Sequence, residues 1–169
     1  WPQIEKPYVN SGHYTDIALG MFMEKAKQQE WYDSTLFIFV ADHSHTSYKN
    51  HGLESFNHHK IPMLIYGEPL KDSLRGTTYD KICGNADLPA MILAQLGQSH
   101  DEFFWSKDVF GKCYKPFAFF ELNQGFGWKT PEGEFVYSND GRFFKNNLPE
   151  NVKDSVILDG KAYMQYHFD

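Results

Sequence analysis

The sequence predicts an α/β fold built on a largely parallel central sheet, with a small antiparallel hairpin towards the C-terminus. Apolar residues recur at helical spacing after Tyr14, and two continuous apolar runs occupy 35–41 and 61–66. An Asp-Gly turn near residue 140 joins two aromatic-rich segments. Because uninterrupted apolar runs are typical of strands covered on both faces, as in parallel sheets, these observations together favour the α/β class.

The first predicted element is an amphipathic helix that begins at Tyr14. Its apolar side chains recur three and four residues apart, and charged side chains such as Glu24 and Lys25 fall on other faces. These apolar positions are Ile17, Ala18, Met21, Phe22 and Ala26. Such spacing is typical of a helix with one apolar stripe.

The two apolar runs are predicted to be strands. The run 35–41 follows a short polar connection and is rich in β-branched and aromatic residues. The run 61–66 is closed by Gly67 and has Pro62 near its start, where a missing amide donor is tolerated. We expect both strands to be buried.

A second helix is predicted over 90–96. Asp87 and Pro89 mark its first turn, and Gly97 follows its last apolar residue. A carboxylate and a proline at the start and a glycine at the end are the usual signals of helix termini. The tail at 152–166 is predicted to form one more helix, although Gly160 weakens the pattern.

The C-terminal third is predicted to contain strands at 117–121 and 134–137. An Asn-Asp-Gly turn at 139–141 leads from the latter into 142–144, which is a hairpin signal. Clustered aromatic side chains are interpreted as core rather than as a platform for stacking sugars. They are Phe103, Phe104, Trp105, Phe117, Phe119 and Phe120.

Charge and composition exclude several classes of protein. The chain of 169 residues has 16 Lys and Arg against 22 Asp and Glu, with no basic cluster, so a nucleic acid is not an expected partner. With 15 Phe and 10 Tyr, the composition is not that of a disordered chain. Cys83 and Cys113 either pair in an oxidising compartment or remain two small buried thiols.

The sequence Asp42-His43 is the best candidate for chemistry. It stands where the first predicted strand ends, and ligands gather outside the carboxyl ends of strands in open α/β sheets. A carboxylate oxygen and a neutral imidazole nitrogen suit Zn²⁺ or Mn²⁺. Both can bind one ion only if the backbone leaves strand geometry there, since neighbouring strand residues point to opposite faces. The alternative is an ordinary loop pair or helix cap.

Five of the eight histidines lie between positions 43 and 59, and this clustering favours a functional site in the segment. His51 or His59 is expected to serve as a second ligand or as a donor on the substrate side. The alternative interpretation, strongest for His58, is a surface imidazole that titrates near neutrality.

No nucleophile motif accompanies these residues. The sequence lacks Gly-x-Ser-x-Gly, and neither Cys83 nor Cys113 stands in a Cys-x-Pro-x-Arg context. The chain begins at Trp1-Pro2 rather than at a methionine, so we expect it to be a piece of a longer chain. If it belongs to an enzyme, the attacking group is expected outside it.

Several segments in order resemble the C-terminal half of a sulfatase-type catalytic domain in the alkaline phosphatase superfamily. They are 14–20, 31–35, the strand that runs into Ala41-Asp42-His43, 61–67, Asp87-Leu88-Pro89 and Leu96-Gly97. Within that superfamily the sequence is most similar to lipoteichoic acid synthase-like phosphoglycerol transferases. Phosphoethanolamine transferases and arylsulfatases are neighbouring groups.

The resemblance implies an α/β sandwich whose metal site lies at the carboxyl edge of the sheet. Asp42 and His43 match the paired metal ligands of the family. His51 falls where related transferases often have a histidine after this pair, so the resemblance implies a donor on the substrate side. His45 or a backbone carbonyl is expected to fix the tautomer of His43. The family usually has glycine where this chain has Ser44. The expected cofactor is a divalent metal ion, Mn²⁺ or Zn²⁺ first, with Mg²⁺ and Ca²⁺ as alternatives.

The resemblance further implies that residues 1–169 are the C-terminal portion of one catalytic domain. Its N-terminal half, with a threonine nucleophile, would lie outside this chain. The implied substrate is a phospholipid headgroup or another phosphate or sulfate ester, and the implied location is extracytoplasmic, with membrane anchoring by N-terminal helices. The expected activity is metal-dependent transfer of a phosphoryl group such as phosphoglycerol. A sulfatase and a noncatalytic cell-surface binding module are the alternatives.

Overall fold

A computed structural model describes residues 5–45 and 51–168. The helices and strands in chain order are α1 Lys6–Ala26, β1 Phe37–Val40, α2 Phe56–His59, β2 Met63–Tyr66, α3 Leu88–Gln95, β3 Ala118–Leu122, β4 Gly125–Thr130, β5 Gly133–Ser138, β6 Phe143–Asn146 and α4 Glu150–Phe168. They form two compact units. The first contains residues up to 51 together with 60–78, and the second contains 52–59 together with 79–169.

The first unit is built from α1 and the β1–β2 pair. Helix α1 begins at Lys6, earlier than the predicted start at Tyr14, and Pro7 occupies its first turn. Proline is tolerated there because the first amides of a helix have no partner within the helix. The ring of Phe37 on β1 lies 6.3 Å from that of Phe22, so the predicted apolar stripe reaches the sheet near the C-terminal end of α1.

The predicted parallel arrangement is wrong for these two strands. β1 pairs antiparallel with β2, in a register that places Phe37 opposite Tyr66 and Val40 opposite Met63. They are also not covered on both faces, since Leu64 is 58% exposed. An apolar run reports which side chains can be buried, but it carries no information on the direction of the neighbouring strand.

The second unit contains a four-stranded antiparallel sheet in the order β3-β4-β5-β6. The predicted hairpin is confirmed between β5 and β6, where the amide of Gly141 donates to the carbonyl of Ser138 over 2.9 Å. The sheet is larger than predicted, because β4 was not anticipated. Gly125 and Gly127 interrupt the apolar pattern of β4, and Gly127 lies beneath the ring of Phe120.

Helix α4 covers one face of this sheet. The buried core between them consists of Phe126, Trp128, Phe135, Leu148 and Val156. Phe117 and Phe119 pack against this core and Phe120 is buried, as predicted. The expectation that Phe103 and Phe104 are core residues is wrong, since they are 45% and 70% exposed. Aromatic residue type alone does not tell which ring a neighbouring element covers.

Helix α3 confirms the predicted second helix, but Asp87 does not cap it. The amide of Ala90 instead donates to Ser106 Oγ over 2.8 Å. The carboxylate of Asp87 is buried and accepts from the amides of Gly84 at 3.0 Å and Lys107 at 3.1 Å. The side chain of Ser106, rather than that of Asp87, therefore satisfies an amide at the N-terminus of the helix. The carboxylate of Asp87 instead connects two loops.

Both cysteines are free thiols, and the two are not equivalent. Cys83 is half-buried, and Cys113 is exposed. Burial is the main cause that raises the pKa of the Cys83 thiol. Among the residues described, no helix combines the length and the apolar character needed to cross a bilayer.

Gly160 within α4 has a packing role. A Cβ atom placed there would lie 2.7 Å from Phe135 Cζ and 3.0 Å from Trp128 Cγ. We therefore expect Gly160→Ala to destabilise the protein by about 1–3 kcal/mol through overpacking. The gain of about 1 kcal/mol in helix propensity offsets part of this loss, which leaves a net destabilisation of up to about 2 kcal/mol. The urea midpoint measures the effect.

Gly20→Ala is the matched control, because no atom lies within 4 Å of a Cβ placed at that position of α1. The control is expected to leave stability unchanged or to raise it by about 1 kcal/mol. A Gly160→Ala variant as stable as Gly20→Ala would show that α4 does not approach the sheet as closely as described.

Candidate functional site

Asp42 and His43 leave β1 immediately after its last paired residues. The amide of Ala41 still donates to the carbonyl of Pro62 over 3.4 Å, and the chain then turns. Both side chains project into solvent, with 86% of the Asp42 side chain and 80% of the His43 side chain exposed. The predicted departure from strand geometry is therefore present.

The turn brings the two side chains to the same side of the backbone. The amide of His43 donates to Asp42 Oδ1 over 2.8 Å, which holds the carboxylate against the turn. The other carboxylate oxygen, Oδ2, lies 3.5 Å from His43 Nε2. In a regular strand these neighbours would point to opposite faces, so the turn creates this proximity.

The ring of His43 is oriented by a backbone carbonyl. Its Nδ1 lies 2.7 Å from the carbonyl oxygen of Ser44. Because a carbonyl oxygen can only accept, Nδ1 carries the proton in this contact, so the neutral form of the ring would have its lone pair at Nε2. Of the two predicted partners for this role, the structure brings a carbonyl to Nδ1, while the ring of His45 stacks on Tyr8 at 3.8 Å between centroids.

The paired atoms fit a divalent cation. Two ligands that each lie about 2.1 Å from a tetrahedral ion are about 3.4 Å apart, and Asp42 Oδ2 and His43 Nε2 are separated by 3.5 Å. A carboxylate oxygen and an imidazole nitrogen are also suitable donors for Mn²⁺ or Zn²⁺. Within the described ranges, no three His, Cys, Asp or Glu side chains gather as a complete ligand set. Such an ion would therefore need further ligands besides this pair.

The structure places the two predicted substrate-side histidines in different units. His51 is exposed and belongs to the first unit, which also contains Asp42 and His43. His59 belongs to the second unit, where its Nε2–H donates to the carbonyl of Leu53 over 2.7 Å. The substrate-side role of both residues stays a prediction.

His59 is held by stacking as well as by its hydrogen bond. Its ring lies 3.6 Å from that of Phe120, with 15° between the two planes. His58 packs edge-on against His59, at 5.1 Å between ring centroids. The expectation that His58 is a surface imidazole holds only in part, since it is half-buried.

Sequence reasoning missed the ion pair that Asp87 forms with Lys107. Asp87 Oδ1 lies 2.7 Å from Lys107 Nζ, and the carboxylate is almost fully buried. The position of Asp87 before a helix suggested a cap, and no local pattern connects it with a lysine 20 residues later. A buried carboxylate is stable only when it is paired and hydrogen-bonded, which Lys107 and the loop amides achieve.

The environment of His59 predicts a pH dependence of stability. Burial is the main cause that lowers the pKa of His59 below 6.5, and the charge of His58 acts in the same direction, whereas the Leu53 carbonyl opposes the shift. The unfolded chain therefore binds a proton at His59 at a higher pH than the folded chain. Stability is expected to fall as the pH drops from about 6.5 towards the folded pKa.

Urea midpoints at about pH 7.5 and about pH 5.5 measure this effect, since the interval spans the ordinary titration of histidine. His59→Gln should flatten the pH dependence, whereas His13→Gln, at an exposed position of α1, should leave it unchanged. Equal pH slopes in the His59→Gln variant and the parent would contradict the assignment.

Comparison with a solved structure shows the fold to which these elements belong. A protein in the alkaline phosphatase superfamily from Vibrio parahaemolyticus matches 90% of this chain with a TM-score of 0.64 and 24% sequence identity. This chain covers 41% of that protein. The match shows that the two chains share an α/β fold.

The sequence also matches a family model. The sulfatase family model aligns with residues 3–98, more than half of the chain, and the matched region includes Asp42 and His43. It does not separate phosphoglycerol transferases from arylsulfatases. The chain belongs to the sulfatase family and has the fold of the alkaline phosphatase superfamily.

Proposed function

We propose that this chain supplies two ligands of a divalent cation in an enzyme that transfers or hydrolyses phosphate or sulfate esters. The observation that carries the proposal is the 3.5 Å separation of Asp42 Oδ2 and His43 Nε2, with Nδ1 of the same ring bonded to Ser44. Membership of the sulfatase family supports the class of reaction. Mn²⁺ or Zn²⁺ suits this donor pair, with Mg²⁺ or Ca²⁺ as alternatives.

Each residue of the pair has a defined task. Asp42 contributes a negative charge and an oxygen donor, and the amide of His43 keeps this carboxylate from rotating away. The Ser44 carbonyl holds a proton at Nδ1 of His43, which leaves Nε2 as the donor atom. A divalent cation bound there supplies Lewis-acid chemistry, since it offsets negative charge on the ester oxygens and eases ionisation of an attacking hydroxyl.

The remaining machinery of the proposed enzyme comes from outside this chain, which spans 41% of its structural match. We assign the attack to a threonine hydroxyl in polypeptide that precedes Trp1. Its oxygen would bond to phosphorus as the bond to the leaving oxygen breaks. The oxygen of a second hydroxyl would then bond to phosphorus as the bond between threonine and phosphorus breaks. The leaving oxygen takes up the proton lost by the nucleophile.

Phosphoglycerol transfer from a phospholipid headgroup is the specific reaction that we propose. It implies an extracytoplasmic catalytic domain, anchored by membrane helices outside this chain. The resemblance of the segments around Asp42 and 61–67 to lipoteichoic acid synthase-like transferases supports it. A sulfatase would use the same ligand pair but a different nucleophile. The ligand pair therefore does not distinguish a phosphate ester from a sulfate ester, and both must be assayed as substrates.

Asp42→Asn and His43→Gln in the full-length protein test the proposal. Asp42→Asn keeps the side-chain shape, His43→Gln keeps an uncharged polar side chain, and each replaces a good metal donor by a poor one. Each is therefore expected to reduce metal content and Mn²⁺ affinity at least about tenfold. Turnover of phosphatidylglycerol and of bis(p-nitrophenyl) phosphate should fall as the metal content falls. Elemental analysis after dialysis and initial-rate assays measure the two effects.

Asp16→Asn and His13→Gln are matched controls, because both positions are exposed on α1. They are expected to retain metal and activity. Normal metal content and turnover in Asp42→Asn would overturn the ligand assignment. Turnover of p-nitrophenyl sulfate with no turnover of either phosphate ester would favour the sulfatase alternative over the transferase.

A further inference from the structure

A ring contact attaches the turn that carries Asp42 and His43 to helix α1. The imidazole of His45 lies on the phenol ring of Tyr8, with 3.8 Å between the ring centroids and 14° between the two planes. Both residues belong to the first unit, as do Asp42 and His43. The contact therefore links a residue just after the candidate metal pair to the first turn of a helix that is distant in sequence.

Tyr8 offers a ring whose base is fixed. It lies in the first turn of α1, which runs from Lys6 to Ala26. In the same turn, Ser11 Oγ donates to the carbonyl of Pro7 over 2.9 Å. Because the helical backbone fixes the Cα atom of Tyr8, only the torsions of its side chain are left to vary. The ring is therefore a surface against which an exposed side chain can be held.

His45 gains order from this contact. The residue is exposed, so its imidazole would otherwise sample several rotamers. A stacked pair of aromatic rings contributes a factor of about two to ten to an equilibrium constant beyond the area that it buries. The stack consequently favours the one side-chain conformation in which His45 lies on Tyr8.

The stack acts on the metal pair through a single peptide plane. The carbonyl of Ser44 and the amide of His45 belong to the same planar unit, which includes the Cα atoms of both residues. Holding His45 therefore limits the rotation of the Ser44 carbonyl. The oxygen of this carbonyl lies 2.7 Å from Nδ1 of His43, whose Nε2 lies 3.5 Å from Asp42 Oδ2. A contact made on α1 is thus connected to the atom that faces the carboxylate.

We propose that Tyr8 is a positioning residue for the candidate metal site. Its stack on His45 holds the Ser44 carbonyl, and this carbonyl keeps the proton on Nδ1 of His43. The inference rests on the proposed function of Asp42 and His43 as ligands. It gives His45 an indirect role, because the site requires the flat ring of this residue rather than its nitrogen atoms.

Calorimetric titration of Mn²⁺ into the full-length protein tests the proposal. Tyr8→Leu and His45→Ala each remove the stack, and each is expected to lower Mn²⁺ affinity by a factor of about two to ten. The double variant should lose no more than either single variant, because both changes remove the same contact. Losses that multiply in the double variant, or no loss in Tyr8→Leu, would overturn the proposal.

Conservative variants separate stacking from other effects. Tyr8→Phe and His45→Phe keep a pair of rings, so both should bind Mn²⁺ within about twofold of the parent. Tyr14→Leu makes the matched change at a position of α1 that is 75% exposed, and it should also stay within about twofold. A loss in His45→Phe as large as in His45→Ala would show that the imidazole nitrogens are needed and would overturn the proposal. Equal losses in Tyr14→Leu and Tyr8→Leu would overturn it as well.

The tautomer of His43 gives a readout that does not involve metal. Long-range proton–nitrogen NMR of the metal-free, histidine-labelled full-length protein shows which ring nitrogen carries the proton, at about pH 8.5, where an ordinary imidazole is neutral. The His43 signals are those that His43→Gln removes. The parent should have its proton on Nδ1, and Tyr8→Leu should show a mixture of both tautomers.

This readout separates the inference from the proposed function. An unchanged tautomer in Tyr8→Leu would overturn the positioning role, whatever the metal content of the protein. Normal metal content in Asp42→Asn, together with a changed tautomer in Tyr8→Leu, would overturn the ligand assignment alone and would support the action of Tyr8 on the His43 ring.

Discussion

The hydrogen bond from Nδ1 of His43 to the carbonyl of Ser44 is the constraint on which the candidate metal site depends. An exposed imidazole can otherwise rotate and present either nitrogen. This bond fixes both the tautomer and the ring plane, and it leaves Nε2 next to Asp42 Oδ2. The turn of Asp42, His43 and Ser44 thus prepares the pair.

The β1–β2 pair provides the rigid base for this turn. Its ladder continues as far as Ala41, so the chain changes direction at a fixed point and Asp42 begins the turn. A site on a strand end is positioned more precisely than one within a long loop. The antiparallel direction of β2 does not change the position of the turn, because the turn depends only on how the last residues of β1 are paired.

Asp87 has the corresponding role in the second unit. Two loop amides and Lys107 satisfy its carboxylate, and this joins the segment before α3 to the loop that leads into β3. Loss of one partner would leave a charge buried without compensation, which costs several kilocalories per mole.

Local patterns in the sequence were sufficient to predict that the chain leaves strand geometry at Asp42-His43, since polar residues follow an apolar run abruptly at that position. They also predicted the hairpin before β6, where turn chemistry acts over a few residues. The direction of β2 and the partner of Asp87 were not predictable, because both depend on contacts between distant segments. Strand β4 was missed because Gly127 makes room for Phe120, and only the folded sheet reveals this.

Anomalous diffraction from crystals of the full-length protein grown with Mn²⁺ would test the central claim most directly. The account predicts an ion bound to Asp42 Oδ2 and to His43 Nε2 at about 2.0–2.3 Å, with Nδ1 of His43 still bonded to the carbonyl of Ser44. An ion coordinated through His43 Nδ1, or one bound in the protein without Asp42 and His43, would contradict it.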